Sequence, residues 1–494
     1  MRRPTRFHVL LKERGWDSWE EFSVHFVAAA RDLAHKTGRQ RLATVGVGQT
    51  TFDRWAGGVW SGRPRADAAE VLEHLFGIPV DELFGPARTT QELRPPAAEV
   101  IERRWPSTSR LVLMATRGTG VWELTGRDVL DGTAAAVNVM KARPAGEGND
   151  VRLLDPEREL DRFLQPVRRG FLLGVDEHND PYNLYVLDGT AARRTRVAVG
   201  AHRSAVSIPR AYLLDDITYG LVWFLTQLDD GLLADDHALD AESGNLVTYL
   251  ALPRSAPSRL MLDLTAAGTS WWGSAFCAHY IERQLREANE VPAFWTREQS
   301  GSEAGAWLFF RHKVEYLQRT GNLATTSKST SRVFCIPETS VTGADRHERV
   351  LLLLAIALME HHGIRVRVTA DPAYEEMDGI ALIPGQRAVI ANWVRVQGEA
   401  LWVATTTSSR SDLRSYTAAF GDAQQADVLT GDAPGSRLEQ LARYLDIDWR
   451  WVTSRSRELA EHGVAGLVRP RSRLLTLEGI EDALSYLGSF TPEP

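Results

Sequence analysis

The amino-acid sequence predicts a multidomain α+β protein: an all-α N-terminal domain, then a mixed α/β C-terminal region with a helical or winged-helix end. Three observations carry this reading. Apolar residues recur at helical spacing through the first 86 residues. After residue 110 the pattern shifts to short apolar runs broken by Gly, Asp and Asn turns, as in strands. The last third alternates helix-like and strand-like stretches, as α/β folds do. A length of 494 residues allows two to four domains.

The elements follow in order. "SWEEFSVHFVAAARDLA" starts at Ser18, with Glu21 three residues on as a capping box, and places Trp19, Phe22, Phe26, Ala29 and Leu33 on one face. "ADAAEVLEHLFG" and "PVDELFG" complete a helical domain over residues 1–86. Residues 87–110, rich in proline and polar side chains, read as a linker with one helical stretch. Residues 111–214 read as a β-rich segment, with strands in "RLVLMATRGTGVWEL", "RRGFLLGVDEHNDPYNLYVLDG" and "TRVAVGAHRSAVSIPRAY". Residues 215–430 read as an α/β sensor or dimerisation domain. It opens with the helices "DDITYGLVWFLTQLDDGLLADD" and "GSAFCAHYIERQLREA", then a third that Thr296 and Gln299 would cap. "RHERVLLLLAIALMEHHG" leads into the strands "IRVRVTA", "DGIALIP" and "RAVIANWVRV". Residues 431–494 form a helical or winged-helix subdomain.

Composition narrows the function classes. A net charge of −7 gives no protein-wide field that draws nucleic acid or anionic lipid, so any DNA contact must come from a local patch. Cys277 and Cys335 are too few and too far apart for a disulfide framework or zinc ribbon, and they favour a reducing interior. The apolar run at the N-terminus is too short for a signal peptide, and "VLLLLAIALM" is too short for a membrane span. A cytoplasmic, nucleoid-associated protein with no membrane partner is expected. Arginine supplies all but five of the 57 basic residues, which points to GC-rich, actinobacterial coding.

The stretch "GVGQTTFDRWAGG" reads as the centre of a helix-turn-helix. A short helix ends in "RQRLATV", Gly46 permits the sharp turn, and Val47 plugs it. Phe52 and Trp55 then face inward, while Gln49, Thr50, Asp53 and Arg54 face outward near the helix start, where base edges are met. Gly57 and Gly58 end the helix. Residues 1–86 hold 12 Lys/Arg against 11 Asp/Glu, so one module binds weakly and a useful affinity calls for a dimer on a palindromic site.

"LATVGVGQTTFDRWAGG…RPRADAAEVLEHLFGIPVDELFG" resembles the DNA-binding domain of the XRE (phage-repressor/Cro-like) helix-turn-helix regulators. With "SWEEFSVHFVAAARDLA" it is similar to a long, streptomycete-type subgroup linked to differentiation and antibiotic regulation. The resemblance implies a sequence-specific, dimeric, operator-binding transcriptional regulator that is not an enzyme and needs no cofactor. It places Gln49 where these proteins hydrogen-bond a base, a position suited to adenine. Thr50, Thr51, Asp53 and Arg54 match further groove-side positions, and Arg63 and Arg65 match backbone-clamping ones. Gly48 stands where the family has a Ser or Thr cap, Asp53 carries a negative charge, and the loop "GGVWSGRPR" is longer than usual.

The remaining chain offers weaker signals. Trp271, Trp272 and Trp295 are candidates to wall a pocket for a small-molecule effector, though such clusters are more often core. Asp229, Asp230, Asp235, Asp236, His237 and Asp240 could hold a hard cation, yet read better as the solvated face and end of an amphipathic helix. "MDGIALIPGQRAVIANWVR" faintly resembles the strand pair of phospholipase D-like domains. Because Asp378, Gly379 and Ile380 stand where a His-x-Lys motif belongs, that resemblance implies a degenerate, catalytically dead domain. Arg450, Arg455 and Arg457 on a helix, with Arg469, Arg471 and Arg473 on a wing, could grip phosphates; a solvated face of a capping subdomain reads better. The alternatives are an enzyme with an unrecognised hydrolase-like domain tethered to a DNA-binding head, and a protein–protein adaptor.

Overall fold

A computed structural model describes residues 5–14, 16, 18–57, 60, 62–85, 96–114, 118–145, 150–154, 169–178, 182–199, 206–252, 263–286, 288–323, 329–396 and 401–490. The chain divides into two compact units, Met1–Glu99 and Val100–Pro494.

The N-terminal unit is helical: α1 (Arg6–Arg14), α2 (Trp19–Thr37), α3 (Gln49–Ala56), α4 (Ala66–Phe76) and α5 (Val80–Leu83). Ser18 caps α2 by accepting from the Glu21 N–H at 3.2 Å, and Gly38 ends it with a φ of 69°, which only glycine adopts cheaply. The expected short helix before the turn is a 3-10 turn, Gln40–Thr44. Its Leu42 is buried, so the turn still points an apolar anchor inward. The periodic apolar residues converge on one aromatic core. Phe7 meets Phe22, Trp55, Phe76 and Phe84 at centroid distances of 5.1–6.0 Å, and Phe22 stacks on Phe52 at 5.0 Å. Edge-on and offset contacts of this kind each add about 0.5–1.5 kcal/mol beyond area burial.

In the expected linker, residues 87–95 lie outside the described residues and Pro96–Arg104 is a helix. The three segments expected beyond it fold as one compact unit. Among the described residues it holds two sheets. The first comprises β1 (Ser109–Leu113), β2 (Thr119–Leu124), β3 (Thr133–Pro144), β4 (Asp150–Leu153), β5 (Gly170–Asp176), β6 (Asn183–Asp188) and β7 (Ser207–Pro209). The long β3 is its spine, antiparallel to β2 and β4 and parallel to β5.

The second sheet runs β10-β9-β8-β11-β12-β13, from β8 (Ala293–Thr296), β9 (Ser331–Cys335), β10 (Arg365–Thr369), β11 (Ile380–Ile383), β12 (Arg387–Asn392) and β13 (Val403–Thr407). Strands β8, β9 and β10 are parallel; the rest pair antiparallel. The Arg346–His361 helix is buried nearly all round, as its unbroken apolar run requires. It packs against the Asp216–Ala234 and Glu478–Gly488 helices.

Three local expectations change. "TRVAV" lies in a helix, Gly189–Val199, because the Asp188 carboxylate accepts from the Thr190 N–H at 2.8 Å and starts a helical turn. Thr296 closes strand β8 instead of capping a helix, since β8 is held between β9 and β11. The helix begins later, where Ser300 and Glu303 form the capping box. The winged alternative finds no strand pair after the Trp449–His462 helix among the described residues, and the C-terminal end is helical.

Candidate functional site

Helix α3 presents the outward face that the spacing predicts. Phe52 and Trp55 are buried, Thr51 is half-buried, and Gln49, Thr50, Asp53 and Arg54 are exposed. The side chains of Gln49, Thr50, Asp53 and Arg54 make no hydrogen bond or ion pair among the described residues. The turn ahead of α3 is fixed by Trp19, whose indole N–H donates to the Val47 carbonyl at 2.8 Å. Gly46 has no left-handed φ, so this turn does not need glycine there. Gly48 caps α3 without a side-chain bond, leaving its first N–H groups for an outside acceptor. Gly57 ends α3 in right-handed conformation, and Gly58 lies outside the described residues. Arg65 is exposed, while Arg63 stands 3.5 Å from Asp81 in an exposed pair that costs little to break.

The C-terminal arginines are arranged differently. Asp229, expected on a solvated face, is fully buried and pairs with Arg169 at 2.7 Å and Arg471 at 3.0 Å. Arg471 also pairs with Asp230, and Arg473 with Asp240 and Asp236. Asp235 accepts from the Thr265 hydroxyl at 2.7 Å. Arg455 is buried against Asp215 at 2.7 Å. These carboxylates therefore hold the C-terminal segment by guanidinium pairs: Arg455 is committed inward, Arg471 and Arg473 are exposed but engaged in carboxylate pairs, and Arg450 and Arg469 are exposed.

Asp345, His347 and Glu348 bring potential ligand atoms within 4.8 Å of one another. Arg127, however, lies 3.1 Å from Asp345 and 2.8 Å from Glu348, supplying the positive charge that a cation would. Burial pushes the Glu348 carboxyl up to about 7 against the pull of Arg127, and pushes His347 down to about 3.

A half-open recess with about 50 Å³ of space for water-sized molecules lies where β8, β9 and the end of β12 meet the Ala266–Leu285 and Arg311–Gly321 helices. Trp295 lines it, but Trp271 and Trp272 do not; they pack in the core beside Trp402, Tyr249 and His312. Trp307 and Trp393 line it in their stead. The Lys313 ammonium donates to Glu298 at 2.8 Å and sits 3.5 and 4.3 Å from the ring centres of Trp307 and Trp393. Arg332 donates Nη1 to the Thr296 hydroxyl at 2.9 Å, with its guanidinium 4.7 Å from the rings of Phe294 and Trp307.

Burial lowers Lys313 to about 8 despite Glu298. Burial raises the Glu298 carboxyl, but Lys313 and Arg332 more than offset it and hold it below the usual range. The pair is therefore ionised at neutral pH. Burial pushes the Cys277 thiol far up, which makes it a poor nucleophile. Sequence reasoning placed Trp307 in the same aromatic cluster but missed Lys313, Arg332 and Trp393, because the recess draws on residues that no helical or strand period links.

Strands β11 and β12 form the expected antiparallel hairpin, and Asn392 donates to Asp378 at 2.6 Å across its open end. No protein family, curated protein or solved structure matches the chain.

Proposed function

We propose that the protein is a sequence-specific DNA-binding transcriptional regulator of the XRE helix-turn-helix type. It acts as a homodimer on operator DNA, with the C-terminal unit receiving a signal. One observation carries the reading: the unpartnered polar face of α3, set on a rigid aromatic core. Four exposed side chains with no hydrogen-bond or ion-pair partner among the described residues lie along the outward face of a short helix whose inward aromatics are buried. In this reading Gln49 and Arg54 meet base edges in the major groove, where amide and guanidinium groups pair bidentately with adenine and guanine. Arg65 and Arg63 hold phosphates and set the register. The near-neutral charge of residues 1–86 makes a single head weak, so two heads about 34 Å apart on a palindrome supply the affinity.

The test is sequencing of genomic fragments retained by the purified full chain, beside Gln49→Ala and Arg54→Ala variants. Discrete palindromic peaks that disappear in both variants are expected. Uniform background from the wild-type protein would remove the operator-binding reading.

A further inference from the structure

The recess described above has an unbalanced set of hydrogen-bonding groups. Arg332 is buried, and its Nε and Nη2 have no hydrogen-bond partner among the described residues. The indole N–H of Trp307 and Nε of Arg297 are also unpartnered, and both residues line the recess. All four of these atoms are donors. Three of the acceptors that line it are engaged, and a fourth, the Tyr316 hydroxyl, which can also donate, faces Arg332. The Thr296 hydroxyl takes Arg332 Nη1, Asn392 Oδ1 takes the Gly379 N–H, and Glu298 takes Lys313. A buried donor left unpaired costs about 1–3 kcal/mol, more when charged, so the surroundings favour a ligand that only accepts.

Charge points the same way. Lys313 and Arg332 face one buried carboxylate, Glu298, while Arg297 at the rim is paired with Glu376 and Asp378. One cation is therefore in excess. Nε and Nη2 form the side-on edge of a guanidinium, whose two parallel N–H bonds match the two oxygens of a carboxylate or phosphate. The recess's 50 Å³ is room for roughly three to five waters, or one small oxyanion. Trp295, Trp307 and Trp393 wall the space around it.

We propose that this recess is a binding site for a small organic oxyanion, whose carboxylate or phosphate head seats on the Nε–Nη2 edge of Arg332 and the indole N–H of Trp307. Its planar or apolar remainder lies against the surrounding tryptophans. The site is independent of DNA reading and is measured without DNA. Lys313 supports the head electrostatically; the charged and titratable groups around it are Glu298, Arg332, Cys277 and the buried His312, whose pKa is held well below the usual value by burial. Because burial brings Lys313 to about 8, binding weakens as the pH rises through that value.

The experiment is calorimetric titration of the full chain with inorganic phosphate, acetate, benzoate and phenyl phosphate, with uncharged benzamide as the control. Saturable binding of benzoate or phenyl phosphate, without binding of benzamide, is expected, and the tighter of the two names the head group. Arg332→Lys keeps the charge but loses the fork, and weakens binding about tenfold. Trp307→Phe keeps the ring but loses the donor, and weakens it by a factor of about 3 to 10. Benzamide binding as tightly as benzoate would overturn the proposal, as would no oxyanion binding up to about 10 mM. Unchanged affinity in variants that keep the native circular dichroism would do the same. If Arg332→Lys fails to fold, Trp307→Phe and the wild-type comparison of benzoate with benzamide decide.

Discussion

Arg54 in the N-terminal unit and Arg471 in the C-terminal unit stand in stretches of sequence that look alike, with basic residues spaced along a candidate DNA-binding element. Their surroundings are opposite. Arg54 is exposed, and its side chain makes no hydrogen bond or ion pair among the described residues. Arg471 is held by Asp229 and Asp230, and its neighbour Arg473 by Asp240 and Asp236. The difference lies in the distant partner. Asp229 is 242 residues away in sequence, and no local pattern announces that it comes to rest beside Arg471. A free guanidinium is available to a phosphate or base, whereas one inside a carboxylate pair must first break that pair.

The largest expected effect tests the committed set. Asp229→Ala leaves Arg169 buried with half its pairing gone and destabilises the C-terminal unit by about 3–5 kcal/mol. Denaturant unfolding followed by near-ultraviolet circular dichroism measures it, and a loss near zero would mean the cluster does not hold the segment.

Acid sharpens the same contrast from another side. Neither ring nitrogen of His347 has a hydrogen-bond partner among the described residues, and burial holds it at about 3 against an ordinary 6.5. The unfolded chain therefore binds the extra proton first. Stability from keeping His347 neutral is present above about 6.5 and is lost as pH falls toward about 3. Over that span the wild type loses about 2–4 kcal/mol relative to a His347→Gln variant. Parallel pH profiles of the two proteins would contradict the assignment.

Next in size, Arg54→Ala costs about 1–3 kcal/mol of operator affinity with no change in thermal midpoint. Arg65→Ala, by contrast, lowers the salt dependence of binding by about one ion. The smallest effect belongs to Arg473→Ala. Its pair is more than half exposed on both sides, so stability changes by less than about 1 kcal/mol and DNA binding not at all.

The helical N-terminal unit was legible because its signals are local. Phe22, Phe26, Phe52 and Trp55 recur at spacings that a helix turns to one side, and each is buried. The replacement of the short helix by a 3-10 turn and the absence of a left-handed φ at Gly46 were not legible, because apolar spacing does not separate these backbone geometries. Strands β3 and β9 escaped for another reason. β3 is buried on alternate residues by alanine as much as by large side chains, and β9 carries Arg332 inward, so neither shows the usual apolar rhythm. The recess was illegible for a third reason. Trp295 was within reach of an aromatic count, but Lys313 and Arg332 are charged residues that only the packing of β8, β9 and two helices turns inward.

The most direct test is an anisotropy titration of one recovered operator duplex with four proteins: wild type, Gln49→Ala, Arg54→Ala and Arg473→Ala. The account predicts that Gln49→Ala and Arg54→Ala each lose about tenfold or more in affinity, while Arg473→Ala binds as the wild type does. Equal binding by all four, or a loss confined to Arg473→Ala, would contradict it and move the DNA contact away from α3.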